Sequence, residues 1–340
     1  MATRVLVSGA AGFIGFHLAA RLARDGFEVL GFDNLNDYYD TDLKYGRLAD
    51  LGLNVDPGIG NDIVTSTSFS SLRFVRLDLA DDTGLKQLIG RERPDVVINL
   101  AAQAGVRYSL ENPHSYETSN VRGFLNLLEA LRAYPVSHLI YASSSSVYGA
   151  DSPAPFREDA AADRPVSLYA ATKRANELMA HSYAHLYGIP ATGLRFFTVY
   201  GPWGRPDMAY FLFTRAILSG EPIRVFNHGD MQRDFTYVDD IVESIVRLMP
   251  QPPSPDAVGG SSRVFNIGNG APVRLMDFID RIERELGMTA EKEYLPMQPG
   301  DVPVTWADCS ALTAVTGYAP ETSVQDGMHA FVRWYRSFYG

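Results

Sequence analysis

The chain contains very little cysteine. Cys309 is the only one among 340 residues, so no internal disulfide can form and a reducing cytoplasm is expected. Basic residues are also few, since 30 Lys and Arg stand against 40 Asp and Glu, a formal net charge of −10. This balance argues against a nucleic acid as the main partner, because binding to a phosphate backbone needs clustered positive charge.

Long apolar runs and several functional motifs are also missing. No run approaches the roughly 20 apolar residues that span a bilayer, and the N-terminus lacks the apolar region and cleavage site of a signal peptide. No serine lies in a G-x-S-x-G sequence, which disfavours a hydrolase of that type. His181 and His185 have a metal-ligand spacing but no third ligand nearby, so we expect structural histidines and no metal.

The start of the chain has the pattern of a β-α-β unit. An apolar run at residues 4–8 precedes Gly9, and Ile14, Leu18 and Leu22 then recur every fourth residue, as on one helix face. Further strands are predicted at 27–32, 72–77, 95–100, 138–142 and 191–196, with helices at 84–90, 121–134 and 169–187. Strands that alternate with helices predict an α/β fold with a doubly wound parallel sheet, the Rossmann type.

The alternation weakens after Gly201, which indicates a second lobe. We predict an NAD-binding Rossmann domain over residues 1–198, with a returning segment at about 234–263. A smaller, mixed α/β substrate domain is predicted over 199–233 and 264–340. Stretches rich in Gly, Pro and Ser predict surface loops at 57–71 and 251–262, and a last amphipathic helix is predicted at 324–338.

Glycines follow the first predicted strand as G-x-x-G-x-x-G, at Gly9, Gly12 and Gly15. They permit a tight turn and a close approach of the backbone to a pyrophosphate, and the helix N-terminus adds N–H donors. Asp33 ends the second predicted strand, where an acid can bind the adenosine ribose and repel a 2′-phosphate, so NAD is favoured over NADP. The alternative is that the glycines only turn the chain.

Tyr169 and Lys173 lie four residues apart on a predicted helix and therefore share a face. A lysine there can stabilise the phenolate and lower the tyrosine pKa, as a general base near neutral pH requires. Upstream, four serines at 143–146 follow a predicted strand, where a hydroxyl can bond a substrate oxygen. Taken alone, these patterns also fit a solvated helix face and a serine-rich turn.

Together, the glycine triplet, the strand-end acid, an upstream serine and the Tyr-x-x-x-Lys pair resemble the extended short-chain dehydrogenase/reductase superfamily, over nearly the whole chain. The resemblance implies that Ser144, Tyr169 and Lys173 are the catalytic residues, with the serine open by one position in the four-serine run. It implies an NAD site formed by Gly9, Gly12, Phe13, Ile14, Gly15, Asp33, Asn34, Asp78, Leu79, Leu100, Ala101, Ala102, Asn120, Tyr169, Lys173 and Phe197.

The segment at 197–208, which contains Gly-Pro-Trp-Gly-Arg-Pro-Asp-Met, resembles the UDP-glucuronate 4-epimerases, as does the stretch rich in Asp, Asn and Tyr at 33–39. In that family an arginine at the place of Arg205 binds the sugar carboxylate. A neutral hexose would leave this arginine unpaired in a closed site, which would select for the acid. Local sequence alone also allows an ordinary surface salt bridge. The resemblance implies a UDP-sugar site formed by Ser144, Ser145, Ser146, Thr198, Arg205, Arg233 and Asp301.

The resemblance therefore implies an isomerase that oxidises UDP-glucuronate at C4, lets the 4-keto sugar rotate, and reduces it again to UDP-galacturonate. Because that intermediate is a β-keto acid, Arg205, Thr198 and a serine are expected to hold the carboxylate near the ring plane and suppress loss of CO₂. A homodimer is expected from the resemblance. The alternatives are a UDP-glucuronate decarboxylase, a UDP-glucose 4-epimerase, a 4,6-dehydratase lacking the usual Thr-Asp-Glu at 144–146, and a non-catalytic NAD-binding sensor or scaffold.

Overall fold

The computed structural model describes residues 2–255, 260–298 and 300–340. Its strands are β1 (Arg4–Ser8), β2 (Glu28–Asp33), β3 (Val64–Thr65), β4 (Leu72–Arg76), β5 (Val96–Asn99), β6 (His138–Ser144), β7 (Ala191–Phe196), β8 (Thr198–Tyr200), β9 (Ile223–Phe226), β10 (Gln232–Tyr237), β11 (Ser262–Ile267), β12 (Pro272–Arg274) and β13 (Lys292–Leu295). Its helices are α1 (Phe13–Arg24), α2 (Thr41–Asp50), α3 (Asp82–Glu92), α4 (Tyr108–Glu111), α5 (Pro113–Tyr116), α6 (Gly123–Ala133), α7 (Leu168–Tyr187), α8 (Ala209–Leu218), α9 (Val238–Leu248), α10 (Leu275–Leu286), α11 (Ser310–Thr316) and α12 (Val324–Tyr339). None of these described helices combines the length and the apolar character that crossing a membrane requires.

Eight strands form one sheet with the order β11-β7-β6-β5-β1-β2-β4-β3. Neighbouring strands pair in parallel, except that β3 is antiparallel to β4. From β1 the chain first adds β2, β3 and β4 on one side of the sheet, and it then adds β5, β6, β7 and β11 on the other side. The strand order therefore reverses between β1 and β5. This reversal is the switch point of a doubly wound sheet, and the predicted fold class is confirmed.

Both faces of this sheet are buried, which explains why its strands are nearly continuous apolar runs. Successive side chains of β1 point to opposite faces: Val5 and Val7 belong to the core formed with α1 and α9, and Leu6 belongs to the core formed with α3 and α6. Helices therefore cover both faces, and the carboxyl ends of the strands are left for ligands.

A second core lies in the C-terminal part of the chain, around a three-stranded sheet ordered β12-β10-β8 and the β13-β9 pair. The rings of Phe235 and Phe278 stack with their centres 3.8 Å apart, and Phe331 of α12 packs into the same cluster. The strand β11 ends at Ile267, so the segment that returns to the large sheet extends beyond the predicted 263. The division into two domains stays a prediction.

Three segments differ from the sequence-based prediction. Residues 57–71, predicted as a loop, contain the short strand β3. The loop predicted at 251–262 falls partly on residues 256–259, which lie outside the described residues, and its last residue begins β11. The sequence pattern also does not predict α2, because the inward face of that helix carries Lys44 and Arg47 as well as Leu43 and Leu48.

Helix α7 carries Tyr169 and Lys173, and its ends are fixed by local chemistry. The Ser167 hydroxyl accepts a hydrogen bond from the Ala170 N–H at 3.2 Å and caps the first turn. Gly188 ends the helix with a φ of 69°, a left-handed conformation that glycine adopts without strain. The capped first turn therefore has a defined position, and it is the turn that contains Tyr169.

Candidate active site

One cavity crosses the carboxyl ends of β1, β2, β5, β6 and β7, the edge at which sheets of this type bind ligands. Seventeen of the predicted site residues line it: Gly9, Gly12, Phe13, Ile14, Gly15, Asp33, Asn34, Asp78, Leu79, Leu100, Ala101, Ala102, Ser144, Tyr169, Lys173, Phe197 and Arg205. The structure thus brings together most of the residues that the sequence assigns to separate motifs.

The glycine turn brings the backbone close to one wall of the cavity. Gly9 has a φ of +70°, and the Gly12 N–H donates to the Gly9 carbonyl at 2.9 Å. A Cβ on Gly15 would lie 2.1 Å from the same carbonyl oxygen, so only glycine fits there. Because α1 begins at Phe13 without a side-chain cap, an anion in the cavity can bind its first N–H groups.

Asp33 is the last residue of β2 and lines the cavity. One carboxylate oxygen accepts the Leu35 N–H at 2.8 Å, which fixes the side chain. The Lys44 ammonium lies 3.7 Å from the same oxygen and donates to the Asn36 side chain at 2.8 Å. Lys44 is buried at the cavity wall, so its charge offsets part of the repulsion that Asp33 would exert on a 2′-phosphate.

The end of β6 and the first turns of α7 bring Ser144, Tyr169 and Lys173 to the cavity. Burial raises the pKa of Tyr169, although a hydrogen bond with Ser144 and the charge of Arg205 act in the opposite direction. The Lys173 ammonium donates to the Ala142 carbonyl at 2.9 Å, and burial lowers its pKa to about 8. The predicted lowering of the tyrosine pKa by the lysine is therefore not observed, because burial dominates and the lysine bonds a carbonyl.

A buried ionic network distinguishes two of the neighbouring serines. Ser143 donates to Glu177 at 2.6 Å, and Arg195 donates to both oxygens of the same carboxylate at 2.9 Å. The Ser143 hydroxyl is thus engaged with Glu177, whereas the Ser144 hydroxyl donates to Ser146 at 3.2 Å and acts to lower the pKa of Tyr169. This difference supports Ser144 as the serine of the reaction centre.

Arg205 reaches the cavity from the loop after β8. Its Nε and Nη2 donate to the two carboxylate oxygens of Asp207, at 3.0 and 2.5 Å, and Tyr38 donates to the same carboxylate at 3.1 Å. Burial opposes both charges, but their attraction outweighs it, so the pKa of Arg205 is raised and the pKa of Asp207 is lowered. The sequence-based expectation for a neutral sugar is therefore corrected in one respect: such a sugar would not leave Arg205 without a counter-charge, because Asp207 already supplies one.

Arg47 connects the glycine turn to the loop that carries Arg205. Its guanidinium is fully buried and donates to the carbonyl of Ala11 at 2.8 Å and to the carbonyl of Trp203 at 2.7 and 3.1 Å. A further bond joins it to the Tyr39 hydroxyl at 2.7 Å. Five N–H groups in one plane allow a single arginine to make all of these contacts.

Asn120, predicted to contact the cofactor, lies behind the cavity wall. Its side chain accepts the Gln103 N–H at 2.8 Å, donates to the Gln103 carbonyl at 2.9 Å, and donates to Thr172 at 3.0 Å. Gln103 lines the cavity in its place. Asn120 therefore holds the loop after β5 against α7, the helix of the proposed catalytic residues.

Ser145, Ser146 and Thr198 are also absent from the cavity lining within the described ranges. The two serines belong to a 3₁₀ turn after β6, where Ser146 bonds back to Ser144 at 3.2 Å. In β8 it is Val199 that reaches the cavity, and the alternation of side chains along a strand directs Thr198 to the other side.

Arg233 and Asp301 belong to the C-terminal part of the chain and are not among the described residues that line the cavity. The Arg233 guanidinium donates to the Pro303 carbonyl at 3.1 Å. Asp301 forms an ion pair with Arg107, with a nitrogen–oxygen distance of 3.3 Å. The central carbon of the Arg107 guanidinium lies over the Phe226 ring, 5.1 Å from the ring centre. Burial lowers the pKa of Arg233, while the charge of Asp301 acts against that effect. The two arginines and one aspartate form a cluster with a net positive charge.

The sequence pattern misses several side chains that line the cavity: Asn36, Tyr38, Tyr39, Lys44, Gln103 and Met208. Most of them come from the loop after β2 and from α2. The Asp-, Asn- and Tyr-rich stretch at 33–39 is a usable signal for this loop, but polar residues in a loop do not reveal which wall they form.

Comparison with known proteins gives consistent matches. A model of the NAD dependent epimerase/dehydratase family matches residues 5–268. Protein CapI of Staphylococcus aureus is 52% identical over 347 residues, which cover 99% of each chain. A probable UDP-glucuronate 4-epimerase of Rhizobium meliloti is 47% identical over 99% of this chain and 98% of its own. The solved structure of UDP-glucuronic acid 4-epimerase from Bacillus cereus, in complex with UDP-glucuronic acid and NAD, is 34% identical with a TM-score of 0.87 and covers 99% of this chain and 100% of that one.

Proposed function

The chain belongs to the NAD-dependent epimerase/dehydratase family, and from this membership we propose that it interconverts UDP-glucuronate and UDP-galacturonate by oxidation and re-reduction at C4. The observation that carries the proposal is the Arg205 guanidinium at the wall of the cavity that also holds Ser144, Tyr169 and Lys173. A planar guanidinium suits a carboxylate, which is the group that distinguishes glucuronate from glucose. Relatives named for this activity support the proposal.

NAD fits the cavity, and the glycine turn is the first reason. Gly9, Gly12 and Gly15 line the cavity next to the first turn of α1, which has no side-chain cap, so backbone N–H groups there can approach a pyrophosphate. Asp33 and Lys44 would bind the adenosine ribose hydroxyls at the end of β2. Bound NAD supplies the acceptor and the donor of the hydride at C4.

Tyr169 is the residue that we propose to move the proton of the C4 hydroxyl, and Ser144 would bond the same oxygen. Burial keeps the pKa of the phenol high, so positive charge nearby is needed to stabilise the phenolate. Arg205 supplies some of it. Lys173, with a pKa of about 8, is mostly charged at neutral pH and lies one turn away on α7.

Arg205 would also decide what happens to the oxidised sugar. The 4-keto sugar is a β-keto acid, which loses CO₂ when its carboxylate bond lies parallel to the carbonyl π system. Holding the carboxylate near the ring plane suppresses that loss and separates an epimerase from a decarboxylase. We expect Arg205→Ala to weaken UDP-glucuronate binding or raise the pentose by-product, and lower turnover without either change would contradict this role.

The diphosphate of the substrate would lie towards the cluster of Arg107, Arg233 and Asp301, whose net charge is positive. Arg233 is held by carbonyl groups, so its guanidinium is fixed before a ligand arrives. We expect Arg233→Ala to raise KM for every UDP-sugar alike while kcat changes less, because the diphosphate is common to all of them. An effect confined to the acid substrate would contradict this assignment.

A second candidate activity, UDP-glucose 4-epimerisation, is favoured by one observation. Since Asp207 pairs with Arg205, binding of a neutral hexose would not leave an unpaired charge. The proton chemistry of Tyr169 does not depend on the substituent at C5. We therefore propose that UDP-glucose and UDP-galactose are poorer substrates rather than excluded ones.

The experiment is to incubate the purified protein with NAD and each UDP-sugar and to resolve the products. Conversion of UDP-glucuronate to the 4-epimeric acid supports the main proposal. Conversion mainly to a UDP-pentose would identify a decarboxylase, and turnover of neutral hexoses alone would identify a UDP-glucose 4-epimerase. Binding of NAD without any product would identify a sensor or scaffold.

We also propose that the protein is a homodimer. Apolar side chains on α6 and α7 are unusually exposed, with Leu125 at 40%, Leu178 at 54% and Leu186 at 64%. Leu178 and Leu186 lie eight residues apart, within one apolar stripe of the helix, as expected for a helix packed against a second copy. Light scattering of the wild type and of Leu178→Glu tests this, and a monomeric wild type would contradict it.

We also propose a cytoplasmic location, because the chain has a single cysteine, Cys309, as is usual for proteins of a reducing compartment.

A further inference from the structure

We propose that Asp207 is a positioning residue for the substrate carboxylate: it holds the lateral edge of the Arg205 guanidinium and leaves the terminal edge for the ligand. The inference rests on the proposed function, because it requires a carboxylate on the sugar. It gives a role to Asp207, a residue that lies within the motif at 197–208 but is not among the described residues that line the cavity.

The geometry of the pair divides the guanidinium into two parts. A guanidinium has five N–H groups in one plane, with Nε and Nη2 on the lateral edge and Nη1 and Nη2 on the terminal edge. Arg205 donates from Nε to one Asp207 oxygen at 3.0 Å and from Nη2 to the other at 2.5 Å. This is the bidentate arrangement of the lateral edge, so a second carboxylate can still meet the terminal edge.

The position of Asp207 relative to the cavity indicates that it holds Arg205 in place and does not occupy the site of the substrate carboxylate. Arg205 lines the cavity and Asp207 does not, within the residues that the structure describes. The Asp207 side chain is 31% exposed, which leaves it partly open to solvent. The guanidinium therefore reaches the cavity while its counter-ion does not, and an incoming carboxylate does not have to displace Asp207.

Tyr38 fixes the carboxylate of Asp207. Its hydroxyl donates to Asp207 at 3.1 Å, and its ring packs against Tyr108 with centres 4.7 Å apart. A Cβ on Gly105 would lie 2.8 Å from the Tyr38 hydroxyl and 3.8 Å from Nη2 of Arg205. The loop after β5 thus packs against Tyr38 and Arg205. Asp207, which orients Arg205, is therefore fixed in its turn by Tyr38.

The functional consequence is preorganisation. Arginine has a long side chain with several rotatable bonds, and ordering it during binding costs affinity. With Asp207 and Tyr38 in place, that ordering is complete before the sugar arrives. The benefit should appear mainly with acidic sugars, because a neutral hexose offers the terminal edge of Arg205 one uncharged hydroxyl in place of the two charged oxygens of a carboxylate.

The test is Asp207→Asn, since an amide can accept with one oxygen but presents N–H groups to the second guanidinium donor. We expect kcat/KM for UDP-glucuronate to fall on the order of 10-fold, mainly through KM, with a larger share of UDP-pentose among the products. The dissociation constant of UDP-glucose should stay within about 2-fold of the wild type. Tighter binding of UDP-glucuronate would show that Asp207 competes with the ligand, and an equal loss for both sugars would show a structural role; either result overturns the proposal.

Two further variants keep the result interpretable. Asp151→Asn is the matched control, because Asp151 pairs with Arg164 at 3.3 Å in an exposed pair, and it should leave both dissociation constants unchanged. Tyr38→Phe removes only the bond to Asp207, so it should reproduce a smaller loss confined to the acid even if Asp207→Asn folds poorly. Equal affinities of the Tyr38→Phe variant and the wild type for UDP-glucuronate would overturn the proposal. If the wild type makes no UDP-galacturonate, the proposed function fails, but the binding measurements still test the role of Asp207.

Discussion

Replacing Lys173 by methionine should change how the stability of the protein depends on pH. Lys173 is buried, and burial lowers its pKa from 10.5 to about 8 in the folded chain. The folded state therefore loses this proton at a lower pH than the unfolded state does, so stability rises with pH between the two values and is lost as pH falls through about 8. A methionine of similar length has no proton to lose and should remove this contribution.

The magnitude follows from the two pKa values. At about pH 7 the folded lysine is charged, so nearly all of the free energy cost of burying its ammonium group is present. By about pH 9.5 the lysine is neutral in the folded protein, whereas most unfolded chains still carry its proton. Linkage then gives the wild type a gain of roughly 2 kcal/mol relative to Lys173→Met over this range. Urea unfolding of both proteins, freed of bound nucleotide and followed by circular dichroism, measures the difference.

The matched control is Tyr169→Phe, which alters the neighbouring proposed catalytic residue but leaves the lysine in place. It should keep the pH dependence of the wild type over the same range while losing activity. If Lys173→Met and the wild type gave parallel curves of unfolding free energy against pH, the lysine would not be buried as the structure describes, and its proposed charge balance beside Tyr169 would have to be abandoned.

Three other substitutions test the site and its support. Tyr169→Phe should lower kcat with UDP-glucuronate by roughly 10²- to 10⁴-fold without weakening NAD binding; a smaller loss in a product assay would contradict its role. Gly15→Ala should abolish NAD binding in a fluorescence titration, because the added Cβ would lie 2.1 Å from the Gly9 carbonyl oxygen; retained affinity would contradict the glycine turn. Glu177→Ala should destabilise the fold by about 3–5 kcal/mol in urea unfolding, because it leaves the buried Arg195 charge uncompensated; a loss below about 1 kcal/mol would contradict that pairing.

Six of the eight strands of the large sheet could be predicted, because each of them is a local signal in the sequence, whereas β3 and β11 were not predicted. The runs at β1 and β5 carry apolar residues on both faces, which is how strands covered by helices appear in sequence. The three-stranded sheet gives no such signal, because β8 and β12 have three residues each, too few to establish a period. Their pairing with β10 depends on contacts between distant parts of the chain, which composition does not encode.

The candidate site divides in a similar way. Gly9, Gly15 and Asp33 follow or end predicted strands, and this position in the sequence was enough to predict that they would lie together at one edge of the sheet, where they line the cavity. The role of Asn120 could not be predicted, because the sequence does not distinguish an asparagine that hydrogen-bonds a loop from one that contacts a ligand. The pairing of Arg205 with Asp207 was equally hidden, since two residues two apart in a loop can point in any direction until the surrounding turn is known.

The buried guanidinium of Arg47 makes the two halves of the cavity interdependent. Since it bonds both the glycine turn at Ala11 and the chain at Trp203, any ligand that orders one of these segments also orders the other. Affinities for dinucleotide and sugar nucleotide should then be reciprocally enhanced by one common factor. The acceptors are main-chain carbonyls, so the constraint falls on position 47 itself: lysine, with its three donors on one atom, could not bridge both segments as the guanidinium does.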